Sequence, residues 1–275
     1  MSQAFAALQR LLPQHALSRG IGKLAQSEVP WIRRAFIHAF ARAYNISLHE
    51  AVDNDLDDYR SFNDFFTRAL RSDARPIAAE PNAIVCPADG TVSQAGQIVE
   101  GKLLQAKGRT YSLSSLLGES QPQFNGGNFF TVYLAPHNYH RVHLPVDGTL
   151  LRTTAIPGEL FSVNGLTEAS VQSLFARNER LVCHFQTEHG AMLVVLVGAL
   201  IVASIETVWE GPSSPYSQLT HTRHNVAYRR GEEIGRFLLG STVIVCFEPG
   251  RSELAERIVS GGPEVFMGQS LGRLH

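Results

Sequence analysis

Three histidines crowd the stretch APHNYHRVHLP, residues 135–145, where His137, His140 and His143 recur at intervals of three between two prolines. Neutral imidazole ligates transition metals and carries protons near neutral pH, so the stretch offers two chemistries. The prolines leave room for one helical turn, on which the rings would share a face, whereas on a strand His140 and His143 would point to opposite sides. No HExxH pattern accompanies them and no acidic residue lies inside the cluster, so a zinc set is incomplete and no metal is expected. A second chemical feature is Ser241, which follows Gly240 inside the apolar run GRFLLGSTVIVCFEPG, residues 235–250. A third is a repeated turn, PADGTV at 87–92 and PVDGTL at 145–150, which sets Asp89 and Asp147 at strand entrances.

A histidine, an aspartate and a serine make up a nucleophile-activating set. No GxSxG elbow presents Ser241 to an outside ester. Buried after a glycine, it is better placed to attack the carbonyl of Gly240 than that of a visiting substrate. A glycine inside a strand also reads as a β-bulge or a close backbone approach, and both accounts stand on the residues alone. The residues likewise do not choose between Asp89 and Asp147.

The elements that must position these groups change character along the chain. In PWIRRAFIHAFARAY, Ile32, Phe36, Phe40 and Tyr44 recur every four residues opposite Arg34, His38 and Arg42, which predicts an amphipathic helix with a cationic face. FAALQRLLP, residues 5–13, predicts a shorter one, and residues 59–77 a third, with Phe62, Phe65, Phe66 and Leu70 on one side and an end before Pro76. From Ala83 onward, runs rich in Val, Ile and Phe between Gly, Pro and Asp predict strands, and residues 235–250 read as one buried strand interrupted at its middle. The expected class is α+β: N-terminal amphipathic helices over residues 1–75, then a largely antiparallel, β-rich catalytic core over residues 76–275.

Charge separates the same two regions. Residues 1–48 hold Arg10, Arg19, Lys23, Arg33, Arg34 and Arg42 against Glu28 alone, a net of +5 within a chain whose total is −1. A basic, Trp31-bearing amphipathic arm on an acidic body predicts an anionic membrane surface as partner rather than nucleic acid. The apolar share of 44% excludes a disordered chain. The uncharged run from Ala191 to Ile205 is too short to span a bilayer comfortably and reads as buried strand. Cys86, Cys183 and Cys246 form no paired spacing and fit a reducing compartment, and no signal-peptide order is evident at the start.

The set FFTRALRSDARP, PADG, YHRVHLP and LLGSTVIVCFEPG, in this order, resembles the phosphatidylserine decarboxylase proenzymes of prokaryotic type, from about Asp58 to the end. The resemblance implies that Ser241 attacks the Gly240 carbonyl in an N-to-O acyl shift. Elimination from the ester and loss of ammonia then leave a pyruvoyl group on residue 241. The chain would become a β chain, 1–240, and an α chain, 241–275, which stay together as a heterodimer and can oligomerise further. The family pattern places His143 as the base with Asp89 orienting it, and His140 as the proton donor after decarboxylation. The pyruvoyl cofactor would take the amine of phosphatidylserine as a Schiff base, release CO2 and yield phosphatidylethanolamine; Lys23, Lys102 and Lys107 are not needed for this. The implied location is peripheral, on the cytoplasmic side of the cell membrane. YSLSSLLG, residues 111–118, also matches the pattern, as a wall of the head-group site or as an ordinary short helix. Asn138, where relatives often carry an acidic group, and the extra imidazole of His137 depart from it.

Overall fold

The structure, a computed structural model, describes residues 14–163, 165–199, 205–212, 215–238 and 241–275. The expected helix at 5–13, Arg10 and Gly240 lie outside these residues. The chain opens with helices α1 (Gln14–Ala25), α2 (Pro30–Ala43) and α3 (Phe62–Phe66). Pro30 stands at the first turn of α2, where its missing N–H costs nothing. The face that α2 buries runs through Ile37 and Ala41, with Phe36 and Phe40 half-buried beside them, while Tyr44 is exposed. That face is one residue removed from the expected stripe. Its centre shifts because the two terminal nitrogens of Arg33 reach the carbonyls of Tyr59 and Asp57, drawing the helix over.

The helix expected across 59–77 is only five residues long. Ser61 caps it by accepting from Asp64 N, and its end comes where the Thr67 hydroxyl donates back to Asn63 O, a local bond that competes with helix continuation. Phe62, Phe65 and Phe66 are nevertheless fully buried in an aromatic cluster, Phe62 stacked on Phe36 and edge-on to Phe40, and Phe65 edge-on to Tyr59.

The strands are β1 (Ala83–Val85), β2 (Gly90–Gln97), β3 (Lys102–Gln105), β4 (Arg109–Ser112), β5 (Asn128–Leu134) and β6 (Arg141–His143). They continue as β7 (Gly148–Ile156), β8 (Arg180–Thr187), β9 (Gly190–Val197), β10 (Ile205–Thr207), β11 (Gly211–Pro212) and β12 (Thr220–Tyr228). The last are β13 (Glu233–Phe237), β14 (Ser241–Phe247), β15 (Ser252–Leu254), β16 (Glu264–Val265) and β17 (Ser270–Leu274). The largest sheet has the order β12-β7-β8-β9-β14-β5-β2-β16, with every pairing antiparallel. On one face Phe130, Val132, Val194, Val243 and Val245 pack against the smaller sheets β1-β17-β15 and β11-β10-β13-β6. On the other, Phe129, Val195, Ile244 and Cys246 pack against residues such as Leu113, Leu116 and Phe161. Because both faces are covered, all seven residues of β14 are buried, and period-two alternation disappears from its sequence. Leu113–Leu117 forms helix α4, capped by Ser112 and closed by Gly118 at φ 71°.

The α+β class is as the sequence predicts. The single interrupted strand at 235–250 is not: β13 pairs with β6 and β10 in one sheet, and β14 with β5 and β9 in another. The chain changes sheets between Phe237 and Ser241, so the interruption is a crossover rather than a bulge.

Candidate active site

Ser241 is the first residue of β14, opposite Leu134 at the end of β5, and has no exposed surface. Its hydroxyl oxygen is buried without a hydrogen-bond partner. Leaving a buried hydroxyl unmatched costs about 1–3 kcal/mol, and such a group calls for a reason in function or strain.

The segment after β5 brings the histidines near this sheet end. It turns at 136–138 and is extended from Tyr139 onward, so the single helical turn does not form and the three rings are dispersed. His137 is exposed, whereas His140 and His143 are buried with separate partners. Among the described residues no group of three ligating side chains could hold a metal ion.

His140 donates from Nδ1 to the Asn138 carbonyl at 2.8 Å and packs on the ring of Phe66, with centroids 4.0 Å apart and planes tilted by 41°. Its Nε2 is buried and bare. Burial pulls this imidazole down to about 3, so it is neutral and its free nitrogen is an acceptor. Its carbonyl accepts from Phe237 N at 3.0 Å, which ties it to the last residue of β13, just before the crossover. His143 donates from Nδ1 to Gly231 O at 2.9 Å, which fixes the tautomer and leaves Nε2 to accept from the Tyr139 hydroxyl at 3.0 Å. Burial lowers its basicity as well.

Asp89 is 3% exposed at the mouth of β2, while Asp147 is exposed and accepts from Arg230 N in a turn. The two PxDG turns are therefore alike in sequence and unlike in placement. Gly90 is required where it stands, because a Cβ there would lie 2.2 Å from the Tyr133 carbonyl oxygen of β5. The Asp89 carboxylate does not reach His143. It is gripped by Arg75, whose Nε lies 2.9 and 3.0 Å from its two oxygens and whose Nη2 lies 2.6 Å from one, and it accepts from Met267 N at 2.8 Å. Arg75 Nη2 also reaches Glu50 Oε2 at 2.9 Å. The guanidinium fork matches a carboxylate better than one imidazole nitrogen does, which is why Asp89 faces Arg75.

The structure thus adds Arg75, Tyr139 and the Gly231 carbonyl to the expected residues. Arg75 lies inside FFTRALRSDARP and Tyr139 inside YHRVHLP, but neither position carries a spacing cue for its partner. Segment 111–118 places Tyr111, Leu113, Leu116 and Leu117 in the second core cluster. All three cysteines are free and buried, and burial pushes the Cys86 and Cys246 thiols up to about 12, which removes them as nucleophiles.

Comparison with known proteins identifies the family of the chain. The family model described as phosphatidylserine decarboxylase matches residues 62–273, and a second, described as PSD, matches residues 4–45. The phosphatidylserine decarboxylase proenzyme of Psychrobacter arcticus is 51% identical over 269 residues, covering 97% of each chain. That of Alcanivorax borkumensis is 52% identical over 266 residues, covering 94% of this chain and 91% of its own. That of Hahella chejuensis is 49% identical over 278 residues, covering 98% and 93%. With a family model matched over residues 62–273 and relatives about half identical nearly end to end, this chain belongs to the phosphatidylserine decarboxylase family.

Proposed function

We infer that this chain converts phosphatidylserine to phosphatidylethanolamine with release of CO2, and that it matures by cutting its own Gly240–Ser241 bond. The observation that carries the inference is the buried, unpartnered Ser241 hydroxyl at the head of a fully buried strand, immediately after a crossover between sheets. The group that the family implies is made from this residue, and an orphaned oxygen there fits a side chain destined to react. Once formed, a pyruvoyl group supplies the electron sink that decarboxylating an α-amino acid requires and that no ordinary side chain offers.

In maturation the Ser241 oxygen bonds to the Gly240 carbonyl carbon, the C–N bond breaks, and the hydroxyl proton passes through a base to the freed amine. His143 is assigned as that base, with Asp89 orienting it. Both assignments require rearrangement, since Tyr139 must release Nε2 of His143 and Arg75 must loosen its hold on Asp89. His140 is assigned as the donor to the former α-carbon. It is neutral in the closed, uncut site, so this role requires better solvation after cleavage, which raises its basicity.

Residues 1–75 are assigned to the membrane-facing part and 76–275 to the catalytic part, acting at an anionic membrane surface on the cytoplasmic side. The helical layer supports this with Trp31 at 73% exposure, Leu24 at 52% and Val29 at 44%, beside the exposed Arg34 and Arg42. Among the described residues no helix is long and apolar enough to cross a membrane.

The test is the intact mass of the denatured protein beside a Ser241→Ala variant, with CO2 release from phosphatidylserine measured on both. Two fragments meeting at 240/241, with a pyruvoyl mass on the smaller and activity only in the cut protein, is the expected result. A single uncut chain in the folded parent refutes the maturation scheme.

A further inference from the structure

Arg68 is 6% exposed, yet no carboxylate among the described residues is bonded to it. Nη2 donates to the His137 carbonyl at 3.0 Å, the guanidinium carbon stands 5.8 Å from the Phe65 ring centroid, and Nη1 is buried with no acceptor. Beside the phenol of Tyr59, the carboxylates whose charge it feels, Asp89 and Glu50, are both taken by Arg75. Burying a cation without a counter-ion is expensive, and the empty N–H adds to the cost. The surroundings are those of the site: Phe66 packs on the His140 ring, Thr67 O accepts from Arg141 Nε at 2.8 Å, and the charge of Arg68 contributes to keeping His140 neutral. A buried cation with a spare donor beside these histidines lacks only an anion.

We propose that Arg68 is the anion-binding residue of the substrate site, its free Nη1 donating to a phosphate oxygen of the phospholipid head group once the 240–241 bond is cut. This rests on the decarboxylase assignment and specifies which part of the substrate is held. The substrate carboxylate is the poorer occupant, because it loses its charge as CO2 departs, and a cation bonded to it would stabilise the ground state more than the transition state. The phosphate keeps its charge throughout. In the uncut chain Ser241 and His140 have no exposed surface and Nη1 is sealed, so the site admits a ligand only after cleavage frees two chain ends there.

The test uses the cut enzyme acting on phosphatidylserine in detergent micelles, with glycerophosphoethanolamine and ethanolamine as competitors. The parent enzyme is expected to be inhibited at least roughly tenfold more strongly by the phosphate-bearing compound. Arg68→Gln is expected to raise KM roughly tenfold to a hundredfold, the loss of one charge-assisted contact, with kcat changed less than about threefold and the contrast between competitors erased. Arg68→Lys, which keeps the charge and loses the fork, falls between, and Arg273→Gln, which removes an exposed arginine, serves as the charge control. Cleavage is followed by intact mass and folding by thermal melting. Parent inhibition that ignores the phosphate overturns the proposal even where the variants do not fold. A cut, folded Arg68→Gln enzyme with parental KM also overturns it, and folded variants that stay uncut assign the cation to maturation instead. A parent that is cut but releases no CO2 refutes the decarboxylase assignment, and calorimetric binding of glycerophosphoethanolamine to that cut protein then decides the role of Arg68.

Discussion

Acidification tests the buried state of His140 directly. An imidazole in the unfolded chain titrates near 6.5, whereas His140 in the folded chain is held at about 3 by burial. Its contribution to stability is therefore fully present above about 6.5 and is lost as the pH falls from there toward 3, because the unfolded state binds a proton that the folded state refuses. The slope starts at about half of 1.4 kcal/mol per pH unit at pH 6.5 and approaches the full value as the unfolded imidazole fills with protons, so lowering the pH to 5 costs between about 1 and 2 kcal/mol through this side chain alone. Other groups act in the same window. His184, held at about 4 by burial and by Arg152, adds a loss of like size, while Glu179, pushed up to about 7 by burial, works in the opposite direction. They drop out of a comparison between two proteins that differ only at position 140. The assay is urea unfolding of Ser241→Ala and of Ser241→Ala/His140→Leu at pH 7.5, 6.5, 5.8 and 5. Neither chain can be cut at 241, so each unfolds as one polypeptide. The leucine variant is expected to show a shallower dependence below pH 6.5, by about 1 kcal/mol per unit over this range, whatever its stability at pH 7.5. Identical slopes would refute the description of His140 as a neutral, water-free imidazole.

Arg75→Met leaves the Asp89 carboxylate, 4% exposed in its side chain, with only the Met267 N–H donor, and is expected to destabilise the Ser241→Ala chain by about 3–5 kcal/mol in urea unfolding. Adding Asp89→Asn removes the stranded charge and should recover a large part of that loss. Tyr139→Phe removes the phenol that occupies His143 Nε2; it is expected to cost about 1 kcal/mol of stability and to speed fragment formation in a pulse-chase measurement, and slower cutting would count against His143 as the base. Trp31→Ala should weaken sedimentation with anionic vesicles by about 1 kcal/mol or more while leaving the melting temperature unchanged, given that side chain's exposure.

The α+β class was readable because it rests on local pattern. Pro30 with an apolar period of four marks a helix, and β-branched runs between turn residues mark strands. The crossover at Phe237–Ser241 was hidden, since sequence continuity across a short apolar run says nothing about which neighbours each half will find. Strand pairing is decided by β5, β6, β9 and β10, far away along the chain. The short helix at Phe62–Phe66 was overestimated because its aromatic spacing is helical, while a single hydroxyl, that of Thr67, helps to end it. The hold of Arg75 on Asp89 is a contact between a residue before the first strand and one at the second, and no periodicity encodes it. Asp89 and Asp147 show the limit most plainly: the same turn chemistry yields one buried carboxylate and one exposed one, according to what packs around each.

The placement of β14 between β9 and β5 has a consequence for the two-chain product. A cut ahead of Ser241 would sever the covalent thread but leave the smaller fragment woven into the larger at three strand seams: β14 between β9 and β5, β16 on β2, and β17 on β1. The fragment would stay bound in the way a complementing strand does, with its loss requiring simultaneous rupture of all three seams. Once separated, however, its return would be a meeting of two molecules rather than the closing of a loop, and would depend on their concentration. If the proposed cut occurs, assembly of the two fragments would be set while the polypeptide was still whole, and a separated pair would have to find each other again to restore it.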